Sequence, residues 1–463
     1  MPRRLPAMAQ RILAPLILRL RNSSLAINSL LAIIDQVLLS ALNFMIGILL
    51  IRFATKETYG LYAQLFAAGL FANTLLDAWI DGPLTTVIGR FSAAERAQIL
   101  QKTARRQLRS ACVLAVLAGM GAWGALSAAG WETNESSVLP NFPWSIAGAF
   151  ALYVLANGMR EYQRTALFIE HAVASVLRMD AIYAGLVLTG MGVLIYLDWH
   201  DIVSVLILVS TAALVTQQSM QHHFQSVTHN ALSGTELVAL NDEMNRHGWW
   251  AVPGVVVGWA ANYSYLFLTG LWIGVLATAD LNATRLLLIP IALTTLAWSR
   301  VAKPRASQYF AEADWQSLRR LTWMSLLAIE VITLSYVIAL YFAYPLLQKY
   351  VLGAKYGGLE PLVIFWGIYF SLNTVRWVAT TWLASAGAYK TLFWQGCSSL
   401  VVLALVAQWA IPELGVRGAI ITLIVVELTE LMVNWFFLLP RLQARMQREA
   451  QHKAITQHPD SAT

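Results

Sequence analysis

Long apolar stretches separated by short polar intervals run through the whole chain. A helix needs about 20 mostly apolar residues to cross the hydrocarbon core of a bilayer. The pattern predicts twelve such crossings. They lie at 24–52, 60–90, 108–130, 144–160, 172–197, 202–220, 248–274, 280–300, 318–343, 359–385, 391–411 and 417–440. Gly82 and Pro83 predict a kink in the second span, because proline has no backbone N–H to donate.

The composition supports a protein that lies almost entirely in the membrane. Hydrophobic residues make up 58% of the chain and charged residues 12%, whereas soluble domains are about 45–50% apolar and about 25% charged. The two cysteines, Cys112 and Cys397, lie in apolar runs and indicate neither a disulfide framework nor a metal site. We find no nucleic-acid motif and expect no cofactor. The fold class is therefore an all-α polytopic membrane protein.

The distribution of lysine and arginine predicts the orientation of the spans, because cytoplasmic loops are enriched in these residues. With the N-terminus inside, the inner segments carry 24 of the 32 Lys and Arg residues and the outer segments carry five. The bias places both termini in the cytoplasm. Residues 8–21, which are basic and apolar in turn, are predicted to form an amphipathic helix on the cytoplasmic membrane surface.

Six spans precede the longest polar interval and six follow it, which predicts two lobes. The predicted segments are the basic N-terminal segment 1–23, the N-lobe 24–220, the cytoplasmic linker 221–247, the C-lobe 248–440 and the cytoplasmic tail 441–463. An even number of spans in each half means that both halves run in the same direction. Any internal repeat is then related by an axis along the membrane normal.

Asp35 lies inside the first span, where an ionisable group costs several kcal/mol unless it faces water or a partner. It follows Ser24 by eleven residues, which is about 17 Å along a helix and close to the bilayer midplane. Gln36 and Asn43 share this span. We expect Asp35 to face a cavity or to make a polar contact with Gln36 and Asn43.

Other carboxylates inside the spans are candidates for ion coupling. Asp77 and Asp81 share a helix face at a spacing of four residues. Glu427 and Glu430, three residues apart near the middle of the last span, cannot both ionise easily in a low dielectric, so one is expected to hold a proton. That arrangement suits proton coupling, and it equally suits a fixed hydrogen bond to Asn434.

Three arginines fall inside predicted spans, and arginine cannot shed its charge. Arg178 lies near the cytoplasmic end of its span, from which it could reach the surface. Arg285 and Arg376 lie in the C-terminal half. Each is either paired with a carboxylate or part of a cationic cavity that receives an anionic group.

The first two spans contain a recognisable stretch, "IDQVLLSALNFMIGILLIRFATKETYGLYAQLF" at 34–66. Its Asp-Gln, Ser-x-x-Asn-Phe, Arg and Tyr-Gly-x-Tyr positions resemble the first two helices of Wzx-type polysaccharide flippases. That family belongs to the multidrug/oligosaccharidyl-lipid/polysaccharide exporter (MOP) superfamily. "RLLLIPIAL" at 285–293 and "LASAGAYKTLFWQ" at 383–395 are similar to the corresponding parts of the family.

The resemblance implies two six-helix lobes around a central cavity in the bacterial inner membrane. It implies a substrate, undecaprenyl-diphosphate-linked oligosaccharide, that is flipped to the periplasmic leaflet, with a polysaccharide polymerase and glycosyltransferases as partners. Cavity candidates are Asp35, Asn43, Arg178, Arg285 and Arg376, and coupling candidates are Asp77, Glu427 and Glu430. Three alternatives stay open: a cation-coupled drug exporter of the same superfamily, a polysaccharide polymerase or ligase, and a scaffold of a secretion complex.

Overall fold

The computed structural model describes residues 24–131, 142–220, 232–446 and Arg448, and all regular structure in these segments is helical. The basic helix predicted at 8–21 and most of the predicted tail lie outside the described residues. The longer helices are α1 Ser24–Phe53, α2 Lys56–Leu76, α3 Ala93–Ala128, α4 Pro143–Ile169, α5 Val173–Tyr196, α6 Ile202–Met220, α7 Gly234–Trp272, α8 Val275–Leu286, α9 Ile289–Glu312, α10 Trp315–Leu347, α11 Glu360–Ser385 and α12 Tyr389–Val433.

These helices account for the twelve predicted crossings. By length and composition, eight of the described helices could span a bilayer, or nine when α8 and α9, which meet at a 52° bend, form one crossing. Helix α12 and the turns after it extend over Tyr389–Met446 and bend at Gly415, where φ is 62°, so this segment supplies two crossings. The remaining two are α4, which carries internal charges, and α6, which is short.

The predicted kink at Pro83 takes the form of a π-helical turn over Asp77–Asp81, after which the helix continues through Gly82–Val87. Gly82 donates its N–H to the carbonyl of Asp77, five residues back. Because Pro83 has no N–H, the Trp79 carbonyl lacks its usual helical donor. The Arg106 guanidinium on α3 donates to that carbonyl at 3.3 Å. A side chain from a neighbouring helix thus satisfies the backbone group that proline leaves free.

The chain forms two compact units. Unit 1 contains Met1–Leu49 and Ala68–Val252, and unit 2 contains Leu50–Ala67 and Pro253–Thr463. The boundary at Pro253 lies inside α7, at a residue that weakens a helix by removing one backbone hydrogen bond. Helix α7 begins at Gly234, so the second half of the predicted linker 221–247 is helical, and residues 221–231 lie outside the described part. The predicted domain limits remain predictions.

The first part of α7 is anchored within unit 1. Gln98 on α3 accepts the Leu232 N–H at 2.8 Å and donates to the Leu232 carbonyl at 3.4 Å. Arg90 and Glu243 form an ion pair, and the hydrogen bond from Arg90 holds the pKa of the partly exposed Glu243 carboxyl below its ordinary value. Apolar residues of α7 complete the core between these contacts: Leu237, Leu240 and Met244 pack with Ile80, Leu84, Ile99, Leu100 and Tyr162.

Outside these cores, large apolar side chains point away from the protein. Val37 on α1 is 62% exposed, and Leu327 and Phe342 on α10 are 69% and 76% exposed. In water such a surface is unfavourable, because monomeric soluble proteins rarely expose large contiguous apolar patches. On helices long enough to cross a bilayer, these side chains contact lipid. The chain is a multi-pass membrane protein.

Candidate functional site

The most extensive charged cluster lies in unit 1 and is centred on Arg164 of α4. Its Nη2 lies 2.8 Å from Asp35 Oδ2, its Nε 2.7 Å from Asp180 Oδ2 and its Nη1 2.6 Å from Glu161 Oε2. The Asp180 side chain is fully buried and that of Asp35 is 2% exposed. One guanidinium therefore joins carboxylates from α1, α4 and α5.

Arg160, one turn earlier on α4, completes the cluster. It pairs with Asp180 and, at 3.1 Å, with Glu161. Its guanidinium carbon lies 3.9 Å from the centre of the Tyr183 ring, which is close enough for a cation–π interaction. Buried charges are usually paired, and the two arginines supply the ion pairs of Asp35 and Asp180 here.

The predicted fourth span ends at 160, and the charge count places Arg160 and Arg164 in the inner segment that follows. Helix α4 continues to Ile169, so both residues lie on the helix and not in an irregular connection. Charged residues lower the hydropathy of a helix even when they are paired inside the protein. A charged helical segment and a loop therefore look alike in a hydropathy profile. The four-residue spacing, which puts both on one helix face, is a signal that could have found them. Without these two residues the inner segments still hold most of the Lys and Arg residues.

Asp35 is buried, as expected of a carboxylate that avoids lipid, but its predicted contact was wrong. Gln36 and Asn43 are exposed, and Asp35 pairs with Arg164. The reason is helical geometry: the next residue points about 100° away, and Asn43 lies two turns or about 12 Å further along. Arg178 on α5 is exposed, as is Asp77 in the π-helical turn that follows α2, so both lie outside the paired cluster.

In unit 2, Arg376 of α11 binds both carboxylates that were predicted as a coupling pair. Its Nη2 donates to Glu427 Oε1 at 3.2 Å, its Nε pairs with the other Glu427 oxygen, and its Nη1 lies 3.1 Å from Glu430 Oε2. Asn373 also donates to Glu427 at 2.9 Å. Asn434 donates to Thr380. Of the two alternatives for Arg376, these contacts agree with pairing to a carboxylate. The residue that holds the two glutamates is Arg376 and not Asn434.

The Arg376 cluster makes a prediction about coupling. We expect Glu427→Gln and Glu430→Gln each to fold and to leave the pH dependence of transport unchanged, because the remaining carboxylate still faces the guanidinium. Arg376→Ala is expected to lose about 3–5 kcal/mol of stability, since it leaves both carboxylates without their cation. Thermal unfolding in detergent and transport at several pH values measure these effects. A shifted pH profile in either Gln variant would instead assign proton coupling to the pair.

Arg285, at the end of α8, has a different environment. Its Nη1 lies 2.7 Å from the Tyr265 hydroxyl. Its guanidinium carbon lies 5.6 Å from the ring centres of Tyr263 and Tyr265 and 6.0 Å from that of Trp366. Among the described residues, no carboxylate forms an ion pair with it; Asp280, five residues earlier, pairs with Lys56.

The rings around Arg285 are held firmly. Trp366 and Tyr265 are fully buried, and the Trp366 indole donates to Thr284 at 3.1 Å. Tyr369 packs edge-on against Trp366 at 5.4 Å. Aromatic faces stabilise a cation but do not neutralise it. Within the described residues, Arg285 thus keeps a positive charge that no carboxylate neutralises, whereas Arg164 and Arg376 are paired with carboxylates. Within the part of the chain that is described, no group of His, Cys, Asp and Glu is arranged to hold a metal ion.

Comparison with known proteins identifies the fold. No family model and no curated protein matches the sequence. Among solved structures, an inward-facing MATE family multidrug transporter of the MOP superfamily is similar at a TM-score of 0.71 and 13% identity, covering 88% of this chain and 95% of that one. The lipid II flippase MurJ, in an inward closed conformation, gives a TM-score of 0.68 at 9% identity, over 91% and 89% of the two chains.

A further MOP superfamily transporter, from Pyrococcus furiosus Vc1 (DSM3638), is similar at a TM-score of 0.58 and 13% identity, covering 92% of this chain and 97% of that one. At these identities the likeness establishes the architecture. The chain has the all-helical fold of MOP superfamily transporters, and the expected fold class is confirmed.

Proposed function

We propose that this protein is a transporter that moves undecaprenyl-diphosphate-linked oligosaccharide across the bacterial inner membrane by alternating access. The observation that carries the proposal is Arg285, a cation in unit 2 that has no carboxylate partner among the described residues. Its guanidinium fork suits the oxygens of a diphosphate or an acidic sugar. The adjacent Tyr263 ring, which is only partly buried, offers a surface on which a sugar ring can pack.

The fold supports the same proposal. It is shared with the lipid II flippase MurJ, whose name describes a lipid-linked substrate, and the resemblance at 34–66 points to flippases of polysaccharide units. A polymerase and glycosyltransferases are the partners that such an activity requires. The inner membrane location and cytoplasmic termini belong to this proposal as well.

A cation-coupled multidrug exporter is the second candidate, favoured by the likeness to the inward-facing MATE transporter. A cavity for cationic drugs calls for carboxylates that are free to bind a cation. Of the four buried carboxylates in the described residues, Asp35, Asp180 and Glu427 are paired with arginines, and Asp81 has no ion pair. The charge at Arg285, which also has no ion pair there, is positive. These contacts favour an anionic substrate over a cationic one.

Removing the protein from its host tests the proposal. In a strain that lacks the gene, we expect lipid-linked oligosaccharide to accumulate in the cytoplasmic leaflet and the surface polymer to disappear, because flipping precedes polymerisation. Leaflet-specific labelling of the lipid-linked sugar and quantification of the polymer measure this, with the restored gene as the control. Normal polymer together with increased drug sensitivity would support the exporter instead.

A further inference from the structure

Unit 2 contains a cavity of about 600 Å³ between the first part of α10 and the last part of α12. Val375 and Trp382 of α11 and Phe310 of α9 line it as well. The remaining lining residues come from α10 and from the chain at and after the end of α12. They are Trp315, Leu318, Arg319, Thr322, Trp323 and Leu326 on the first side and Leu431, Trp435, Phe436, Leu439 and Gln443 on the second.

The cavity is polar at one end and apolar along its depth. Arg319 and Gln443 lie at the end that the charge distribution predicts to face the cytoplasm. Leu326 lies seven residues beyond Arg319, or about 10 Å further along α10, and it shares the lining with Leu431 and Val375. Trp323 and Phe436 also line the cavity and are 64% and 63% exposed. A ligand that fits this gradient has an anionic head and a hydrocarbon chain.

Trp382 supplies an independent indication of a ligand. Its side chain is 2% exposed, and its indole N–H has no hydrogen-bond partner among the described residues. Buried tryptophan N–H groups usually find an acceptor, and leaving one unpaired costs about 1–3 kcal/mol. Trp382 lines the cavity near the end of α11, an end that the charge distribution predicts to face the cytoplasm, as it does for Arg319. An oxygen-rich head group there would provide the missing acceptor.

We propose that this cavity binds an anionic phospholipid from the cytoplasmic leaflet. The phosphate lies at Arg319, an oxygen of the head group or ester accepts from the Trp382 indole, and one acyl chain passes between Trp323 and Phe436 toward Leu326. Basic pockets between membrane helices on the cytoplasmic side are suited to anionic lipid head groups. This site is separate from Arg285 and does not depend on the proposed transport activity.

Two other occupants fit less well. The residues that follow Arg448, "EAQHKAITQHPDSAT", are mostly polar and offer little surface for an apolar cavity. A lipid-linked diphosphate carries more negative charge than a phospholipid, yet Arg319 is the only charged residue among those that line the cavity. A single phosphate diester matches a single guanidinium.

Native mass spectrometry of the purified full-length protein with dioleoyl phosphatidylglycerol or dioleoyl phosphatidylcholine tests the site. We expect one phosphatidylglycerol to be retained in preference to phosphatidylcholine. Arg319→Gln should weaken phosphatidylglycerol binding about tenfold or more, as the loss of a charge-assisted hydrogen bond predicts. Arg320→Gln, which removes an exposed arginine outside the lining, is the matched control and should change binding less than about twofold.

Trp382→Phe keeps an aromatic ring and removes the N–H, so it should also weaken binding while the thermal unfolding temperature shows that the protein is folded. Equal retention of the two phospholipids would overturn the proposal. So would equal losses in the Arg319 and Arg320 variants, or normal binding by a folded Trp382→Phe. Displacement of phosphatidylglycerol by an equimolar amount of undecaprenyl diphosphate would assign the cavity to the transported lipid instead.

Discussion

Replacing Arg164 by alanine is expected to destabilise the protein by about 3–5 kcal/mol, because removing one partner leaves a buried charge uncompensated. The three carboxylates around Arg164 are not affected equally. Asp180 and Glu161 keep Arg160 as a partner, whereas Asp35 has no other ion pair among the described residues. Asp35 should therefore account for most of the loss.

A second substitution separates this explanation from a general packing defect. Arg164→Ala combined with Asp35→Asn should recover more than half of the lost stability, since the uncompensated charge is gone. Arg178→Ala removes an exposed arginine from α5 and should stay within about 0.5 kcal/mol of the unchanged protein. Thermal unfolding in detergent and the amount of folded protein in the membrane measure all three. A stable Arg164→Ala variant, or no recovery on neutralising Asp35, would contradict the role of the cluster.

The number and type of elements were predictable because the signal for a membrane span is local. Twenty apolar residues in a row require a helix, since no other open structure satisfies the backbone in lipid. The break inside α12 was predicted correctly at the interval 412–416, and Gly415 bends the helix there. The predicted fourth span ends at 160, nine residues before α4 ends, because the charged residues of α4 lower its hydropathy and their partners lie elsewhere in the chain.

The sequence indicated that the charged residues inside the spans need partners, but it did not indicate which residues those partners are. Asp35 and Arg164 are separated by 129 residues, and Arg376 and Glu427 by 51. Their pairing follows from the packing of helices, which the sequence pattern of a single span does not contain. From the sequence, Arg285 and Arg376 therefore have the same two alternatives, a carboxylate partner or a cationic cavity. The contacts distinguish the two residues: Arg376 binds two carboxylates, whereas Arg285 is surrounded by aromatic rings.

This difference leads to the prediction with the largest effect on activity. Arg285→Ala is expected to reduce export of lipid-linked oligosaccharide about tenfold to a hundredfold. One charge-assisted bond to a diphosphate or acidic sugar in a partly desolvated site contributes about 1.5–3 kcal/mol. Arg285→Lys should recover export only in part. Lysine keeps the charge and the interaction with the Tyr263 and Trp366 rings, but it lacks the fork that binds two oxygens.

Stability distinguishes a substrate contact from a structural one. Arg285→Ala leaves no carboxylate unpaired within the described part of the chain, so its expected cost is the lost interaction with the rings and the Tyr265 hydroxyl, about 1–3 kcal/mol. Arg376→Ala and Arg164→Ala should cost more stability. Export into vesicles, measured together with thermal unfolding for each variant, gives both quantities. If a folded Arg285→Ala exports at the normal rate, Arg285 does not bind the head group. If it loses export only in proportion to folded protein, its role is structural. Loss of export at normal abundance is the outcome that a head-group contact requires.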